Sequence, residues 1–169
     1  MEQHTMDIIV AGTWFAILIY AVIANILLAI LIVSSTETRT LTSYWIVGSF
    51  SLSEVGMAMT ALCHVIPFIL LHESFSKNES TSDFLMLSGY HSFWAISLMH
   101  LVLMALNRVA CILYPTYYST IFSKTNTICL LLLCYFLGPI LSIPTLFPCC
   151  YILLDSYNYV SYYVDQESW

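Results

Sequence analysis

The sequence predicts an all-α protein, an integral membrane bundle of four transmembrane helices in a single domain. Of its 169 residues, 60% are hydrophobic and only 8% are charged, against about 25% charged in soluble proteins. A helix of about 20 apolar residues crosses the roughly 30 Å hydrocarbon layer of a bilayer. The chain contains four apolar runs of at least that length, at residues 8–33, 44–71, 84–114 and 127–147.

Each run is predicted to be one span, with irregularities where polar residues or prolines fall. The first run is uncharged, and Asn25 is its one strongly polar residue. The second run contains Glu54 and also Pro67, which predicts a kink because an internal proline removes a backbone hydrogen bond. Pro139 and Pro144 are expected to interrupt the fourth span.

Polar segments join the runs and are predicted to be loops, at residues 34–43, 72–83 and 115–126. The tail, residues 148–169, is rich in tyrosine and contains acids but no Lys or Arg. Two readings of the tail stay open. The spacing of Tyr157 and Tyr159 is that of a strand, which would cover a pocket. An aromatic segment lying at the lipid headgroups fits the same residues.

The third run carries polar and aromatic residues at helical spacing. Their steps of four and three residues average the 3.6-residue turn of an α-helix. We expect this stripe to face other helices, and the opposite side, which includes Ile96 and Leu103, to face lipid. The stripe consists of Tyr90, Trp94, Ser97, Leu101, Met104 and Arg108.

The few basic residues predict the orientation of the chain in the membrane. Arg39, Arg108 and Lys124 fall on the side of the first and third connectors, whereas only Lys77 lies on the other side. Because cytoplasmic loops carry the excess of Lys and Arg, we expect the first and third connectors in the cytoplasm and the amino terminus outside the plasma membrane. Asn78 opens an Asn-Glu-Ser sequon in the second connector, so glycosylation is predicted there.

Composition also disfavours several classes of function. A net charge of −6 with four Lys and Arg in the whole chain argues against nucleic acid as a partner. The six cysteines form no Cys-x-x-Cys pair, and His64, His91 and His100 are isolated in apolar surroundings. Each histidine is therefore expected to be a hydrogen-bonded interior residue, and we predict no metal, no cofactor and no enzymatic activity.

Four polar residues in the spans need an explanation. An acid inside a span, such as Glu54, costs about 2.5 to 3.5 kcal/mol to insert, so it faces either an internal polar or ion site or a hydrogen-bonding neighbour that keeps it protonated. Asn25 and Ser97 are expected to hydrogen-bond between packed helices. Arg108 lies at the end of a span, where a long cationic side chain reaches the lipid headgroups, so its position alone requires no further role.

Three segments together resemble rhodopsin-like G protein-coupled receptors, and most closely the nematode class-x (Srx) serpentine chemoreceptors. They are Asn25, the Ile66–Leu71 sequence that closes the second run, and above all residues 105–115. That last segment, Ala-Leu-Asn-Arg-Val-Ala-Cys-Ile-Leu-Tyr-Pro, is similar to the family's asparagine-arginine motif with its following proline. The similarity covers nearly the whole chain but only the amino-terminal part of such a receptor, so we expect spans five to seven to be missing.

The resemblance implies a chemosensory receptor that detects an external small molecule and signals through a heterotrimeric G protein. Asn107, Arg108, Pro115 and Tyr118 match positions involved in G protein coupling. Inside the bundle, the family's internal sodium or proton site corresponds to Asn25, Glu54 and Ser97. Positions that touch ligand in such receptors correspond to Tyr90, His91 and Trp94.

The sequence also departs from the superfamily pattern. Asn107 stands where an acid usually pairs with the arginine, so a salt-bridge lock is not expected. Asp83 stands where a cysteine usually anchors the second extracellular loop, which leaves Cys149 and Cys150 without that partner. The alternatives are a four-span membrane scaffold or interaction protein and a non-signalling truncated receptor product.

Overall fold

The computed structural model describes residues 2–71, 81–147, 152–155 and 158–163. Four helices in it are long and apolar enough to cross a membrane, Gln3–Ser34, Thr42–Leu71, Leu85–Leu113 and Lys124–Leu146. The predicted all-α membrane bundle of four transmembrane helices is therefore confirmed. Its α-helices are α1 (Glu2–Ser34), α2 (Thr36–Thr40), α3 (Thr42–Thr60), α4 (Ile66–Leu71), α5 (Thr81–Leu113), α6 (Pro115–Ile121) and α7 (Lys124–Ser142).

The second span is irregular at the position where proline predicts it. Between α3 and α4 the chain forms one π-helical turn, Ala61–Val65, in which the Ile66 N–H donates to the Ala61 carbonyl five residues back. Pro67 follows directly and has no N–H to donate to the preceding turn. A widened turn of this kind displaces side chains from the regular α-helical positions.

The bundle is organised around α5, which packs between α3 and α7, while α1 lies along α3 and α4. One buried apolar cluster joins α3, α5 and α7 and includes Ile46, Leu103 and Cys134. Gly138 permits the close approach of α7, because a Cβ atom there would overlap the Ile96 side chain of α5. Small residues at such contacts are typical of packed membrane helices.

The predicted facing of α5 is wrong in part. Trp94 and Leu101 of the polar stripe are 51% and 49% exposed, whereas Ile96 and Leu103, expected to face lipid, are 4% and 6% exposed. Ser97 of the stripe is buried as predicted. The periodicity is that of a helix, as predicted, but hydrogen bonds and close packing set which side meets α3 and α7. The packed face runs through Ser88, Ser92, Ile96, His100, Leu103, Asn107 and Ala110.

Two connectors predicted to be loops contain short helices instead. α2 lies in the first connector, and α6 occupies most of the third, with Pro115 at its first position. Proline at that position fits a helix because the first N–H groups have no partner within the helix. Arg39, Arg108 and Lys124 all lie near these connectors, and we name this side of the bundle the Arg108 end.

The fourth span tolerates one of its two prolines within the α-helix. α7 continues through Pro139 to Ser142, and the Ser142 hydroxyl donates to the Pro139 carbonyl at 2.9 Å. The predicted interruption is therefore absent at Pro139, and membrane helices commonly tolerate an internal proline. It is present at Pro144, which lies in a 3₁₀ turn, Ile143–Leu146.

The described part of the tail forms a β-hairpin. β1 (Ile152–Asp155) pairs antiparallel with β2 (Val160–Tyr163), and Ile152 stands opposite Tyr163. β1 lies against α5, and Tyr159 at the turn has a left-handed backbone with φ of 56°. The tail thus contains strands, but not where they were predicted, since Tyr159 lies in the turn and Tyr157 lies outside the described residues. We name this side of the bundle the hairpin end.

Candidate functional site

Three polar side chains close a hydrogen-bonded triangle at the Arg108 end. The Asn107 side-chain N–H donates to Ser43 Oγ at 2.9 Å, and the Tyr118 hydroxyl donates to Asn107 Oδ1 at 2.9 Å. Ser43 Oγ and Tyr118 Oη lie 2.8 Å apart. This Asn107 cluster joins α3, α5 and α6, and Asn107 within it is only 5% exposed.

A second contact holds the chain just after the last residue of α6. The Thr42 hydroxyl donates to the Phe122 carbonyl at 3.0 Å, just past the last residue of α6. The Tyr118 ring also stacks on the Phe122 ring, with centroids 5.5 Å apart. Thr42 and Ser43, consecutive residues at the start of α3, thus hold the middle of α6 and the residue that follows it.

Arg108 makes none of the hydrogen bonds of the Asn107 cluster. Its side chain is exposed, and no ion pair to it occurs among the residues that the structure describes. The residue before it is occupied by Ser43 and Tyr118, so Asn107 anchors α6 instead of the arginine. Asn107, which stands where the superfamily usually has an acid, instead bonds to Ser43 and Tyr118.

A second polar cluster lies in the middle of the bundle, around His100. This side chain is fully buried, and its Nδ1 donates to the Ile96 carbonyl at 2.8 Å, since a carbonyl only accepts. Nε2 lies 2.9 Å from the Ser49 hydroxyl, and the Tyr135 hydroxyl donates to the Ser49 carbonyl at 3.0 Å. The prediction that His100 is a hydrogen-bonded interior histidine is confirmed. The cluster ties α3, α5 and α7 together.

Sequence reasoning missed Ser43, Ser49 and Tyr135, which complete these two clusters. A signal was present in the sequence, because hydroxyl residues occur just before the second run, at position 43, and within it at positions 49 and 53. Hydroxyl side chains in an apolar span commonly hydrogen-bond to a neighbouring helix. Their partners on the other helices were not readable without the packing.

The three residues of the predicted internal polar site make no hydrogen bonds to one another among the described residues. Ser97 is 5% exposed, and its Oγ lies 3.1 Å from Ser53 Oγ, next in sequence to Glu54. Glu54 is half-buried and close enough to Tyr90 for an electrostatic interaction. Asn25 donates instead to the Ala21 carbonyl of its own helix at 2.9 Å.

The three predicted ligand-contacting residues are divided between two cavities at the hairpin end. The first, which we name the π-turn cavity, has a volume of about 110 Å³ and is lined by Tyr90 and His91. The second, of about 180 Å³, lies between α5 and α7 and is lined by His91 and Trp94. His91 lines both cavities, and no single one of them contains all three residues.

The hairpin covers the π-turn cavity and is held there by a hydrogen bond to α1. Tyr159 and Ser161 line the cavity. The Tyr159 hydroxyl donates to Asp7 Oδ1 at 2.6 Å, and the Gln3 side chain donates to the same oxygen at 3.2 Å. Asp7 is fully buried. The hydrogen bond to the Asp7 carboxylate, followed by burial and the negative charge, raises the pKa of the Tyr159 phenol.

Some predicted features cannot be placed. Asn78, Cys149 and Cys150 lie outside the described residues, and the Asp83 side chain is not described either. Within the described ranges, no three His, Cys, Asp or Glu side chains lie close enough to hold a metal ion.

Comparison with known proteins adds the family. The sequence profile of "Serpentine type 7TM GPCR chemoreceptor Srx" matches residues 15–168. The chain belongs to this family. The match includes the Srx segment around Asn107 and Arg108, the described hairpin and, apart from Trp14, the residues named as lining the two cavities. No curated protein matches the chain. Membership in Srx makes the chain a multi-pass membrane protein of a chemoreceptor family and fits a non-enzymatic role.

Proposed function

We propose that this Srx chain is the amino-terminal part, residues 1–169, of a chemosensory G protein-coupled receptor in the plasma membrane. The hairpin end, with the tail 148–169, faces the exterior and receives a small molecule. The Arg108 end faces the cytoplasm and a heterotrimeric G protein. Family membership supports the receptor role, and the position of Arg39, Arg108 and Lys124 at one end supports the orientation.

The arrangement of α6 beside an exposed Arg108 is the observation that carries the proposal. The Asn107 cluster holds Tyr118 inward, while Tyr117 on the same helix is 65% exposed. A guanidinium free of an ion pair among the described residues presents several donors for carbonyl or carboxylate groups of a partner. Pro115 starts α6 immediately after the short link from α5. The exposed Arg108 and the fixed short helix α6 together form the docking surface for the G protein.

Two interior sites complete the proposal. Glu54 with Ser97 forms the internal polar or ion site, supported by the half-buried acid inside a span and the Ser53–Ser97 contact beside it. The family resemblance assigns Asn25 to the same site, although its amide donates to the Ala21 carbonyl of its own helix. Ligand binding at the hairpin end shifts the population toward a state in which the G protein binds more tightly at the Arg108 end.

Tyr90, His91 and Trp94 are the ligand-contacting residues of this proposal. Tyr90 and His91 do so from the π-turn cavity, and Trp94 from the second cavity. Both cavities lie close to the described hairpin, because Tyr159 lines the first and Ile152 lines the second. A ligand in either cavity therefore touches α5 and the hairpin at once.

The test begins with the full transcript, which shows whether three further apolar spans follow Trp169. The family description has seven transmembrane helices, and the described residues hold four. We expect the complete receptor to activate a G protein in cells exposed to an odorant panel and the 169-residue chain alone to remain silent. A robust response from the chain alone would overturn the requirement for further helices.

Matched arginine variants test the coupling surface of the complete receptor. We expect Arg108→Ala to reduce G protein activation at least tenfold, because it removes the central cation of the docking surface. Arg39→Ala removes another exposed cation at the same end and is expected to have little effect. Equal losses from both variants would refute a specific role for Arg108, and a complete receptor that expresses without coupling would favour a scaffold or a non-signalling product.

A further inference from the structure

The turn of the hairpin is tied to the start of α1 by a hydrogen bond between distant parts of the chain. The Tyr159 hydroxyl donates to Asp7 Oδ1 at 2.6 Å, across 152 positions of sequence. The acceptor residue is fully buried, and the donor residue is half-buried. Gln3, one helical turn before Asp7, donates to the same oxygen at 3.2 Å. We name the bond between Asp7 and Tyr159 the Asp7 latch.

Tyr159 makes this bond from a backbone conformation that is unfavourable for it. Its φ of 56° lies in the left-handed region, where a side chain crowds the backbone, and no other non-glycine residue in the described ranges has a positive φ. Such a residue persists only where its contacts outweigh the strain. The contacts here are the bond to Asp7 and the packing of Tyr159 against a buried cluster of Ala11, Ile66 and Ile69.

The hairpin has little internal structure to hold its turn in place. Each of its two strands is four residues long, and an isolated two-stranded hairpin is marginally stable at best. Its open end is anchored, because β1 lies against α5 and Ile152 is 6% exposed. The opposite end, which carries Tyr159, depends on the latch and on the packing of that one ring.

The latched hairpin forms one wall of the π-turn cavity. Tyr159 and Ser161 line the cavity from the hairpin, and every other lining residue belongs to a membrane-spanning helix. A dry protein cavity of roughly 150 Å³ admits benzene, and this one, at about 110 Å³, is smaller. A larger molecule therefore enters only when a wall moves, and the hairpin is the wall that is not packed inside the bundle.

We propose that the Asp7 latch controls entry to the π-turn cavity. While the bond is made, the turn of the hairpin lies over the cavity. When it breaks, Tyr159 leaves the left-handed conformation and the turn moves away from α1, while Ile152 stays anchored on α5. The strain at Tyr159 opposes the bond and so reduces the free-energy difference between the closed and open positions. This inference rests on the proposed function, in which the cavity receives the ligand, and assigns control of entry to Asp7 of the first span.

A thiol in the cavity wall reports the opening. Leu87→Cys places one there, and Leu103→Cys places one in the apolar cluster between α3, α5 and α7 as the control. The two leucines are 7% and 6% exposed, and no native cysteine lies between Lys77 and Arg108, so one tryptic peptide carries only the introduced thiol. A positively charged methanethiosulfonate reagent stays out of lipid and is larger than benzene, so it reacts with the cavity thiol only when the hairpin opens.

The modification rate is measured by mass spectrometry on the 169-residue chain in lipid nanodiscs. We expect Tyr159→Phe to raise the rate of the Leu87→Cys thiol about tenfold, the factor that a hydrogen bond to a charged group provides. Asp7→Ala should raise it equally, and the two together no further, because both remove one bond. Tyr20→Phe removes a hydroxyl from a 75% exposed side chain of α1 and should leave the rate unchanged.

A milder variant serves if Tyr159→Phe does not fold. Asp7→Asn keeps an acceptor oxygen without the charge and should raise the rate about threefold, since a charge-assisted bond is roughly twice as strong as a neutral one. The Leu103→Cys thiol should be modified at the same rate in every variant, because it reports loosening of the whole bundle.

Four outcomes would overturn the latch. They are an unchanged rate at Leu87→Cys in the latch variants, the same rise in Tyr20→Phe, a double variant whose effect is the product of the two single ones, and an equal rise at Leu103→Cys. The assay contains neither ligand nor G protein, so it separates this inference from the proposed function. Opening controlled by the latch without coupling in the complete receptor refutes the function alone, and coupling with any of the four outcomes refutes the latch alone.

Discussion

Replacing Tyr118 with phenylalanine tests whether the Asn107 cluster holds α6 in place. Tyr118→Phe removes the hydroxyl that donates to Asn107 Oδ1 at 2.9 Å and lies 2.8 Å from Ser43 Oγ. Because Asn107 is 5% exposed, its oxygen is then left buried without that donor. Leaving a buried acceptor unsatisfied costs about 1 to 3 kcal/mol. We expect the docking of α6 to weaken by that amount.

Hydrogen exchange measured by mass spectrometry on residues 115–121 in nanodiscs reports this weakening. A loss of 1 to 3 kcal/mol corresponds to roughly 5- to 150-fold faster exchange. Tyr117→Phe is the matched control, since it removes a hydroxyl from the same helix at a side chain that is 65% exposed. We expect the control to leave the exchange rate unchanged.

A double-mutant cycle separates the hydrogen bond from general damage. Asn107→Leu leaves the contact between Ser43 and Tyr118, and the double variant with Tyr118→Phe removes the buried amide together with the hydroxyl that satisfied it. The double variant should therefore cost less than the sum of the single variants, with a coupling of about 1 kcal/mol. Strictly additive costs, or exchange in Tyr118→Phe no faster than in the control, would refute the role of the cluster.

Three further predictions concern packing, pH and orientation. Gly138→Ala places a Cβ where no space exists and should destabilise the bundle by about 1 to 3 kcal/mol in thermal unfolding, whereas Gly89→Ala, which meets open space, should not. The raised pKa of Tyr159 means that its bond to Asp7 stabilises the hairpin below the ordinary tyrosine pKa and is lost as pH rises through the raised value; absorbance at 295 nm should show a late-ionising phenol component that is smaller by one tyrosine in Tyr159→Phe. Endoglycosidase treatment should increase the gel mobility of the chain expressed in cells, but not that of the Asn78→Gln variant. A cytosolic Asn78 would reverse the proposed orientation.

Hydrophobicity and length were sufficient to predict the fold class, because four runs of lipid-soluble residues have few alternatives to spanning a membrane. Pro67 predicted an irregularity near the π turn at Ala61–Val65, since its missing N–H must be accommodated in the preceding turn. The helix at Pro115–Ile121 was not predicted. Its seven residues are held by Thr42 and Ser43, which are about 80 positions away in sequence, and local patterns carry no information about such contacts.

The candidate site was predictable by residue type but not by arrangement. Motif resemblance selected Asn107 and Tyr118, and the structure places them in one hydrogen-bonded cluster. The family resemblance grouped Tyr90, His91 and Trp94 as ligand-contacting residues, yet they line two different cavities that share only His91 among these three. A one-dimensional stripe fixes which residues are neighbours along a helix, and the partner helices decide which of them share a space.

Polar contacts at two levels explain why α5 adopts the facing it has. His100 meets α3 and α7 in the middle of the bundle, and Asn107 meets α3 and α6 seven residues later. Seven residues are close to two helical turns, so both side chains lie on one side of α5. Rotating the helix by one residue, about 100°, would turn both toward lipid, where a lost hydrogen bond has no water to replace it. For apolar residues such as Leu101 and Leu103, the free energy differs little between facing lipid and facing another helix. The few polar groups therefore decide the rotation of α5, and with it the exposure of Arg108 and the position of His91 between the cavities.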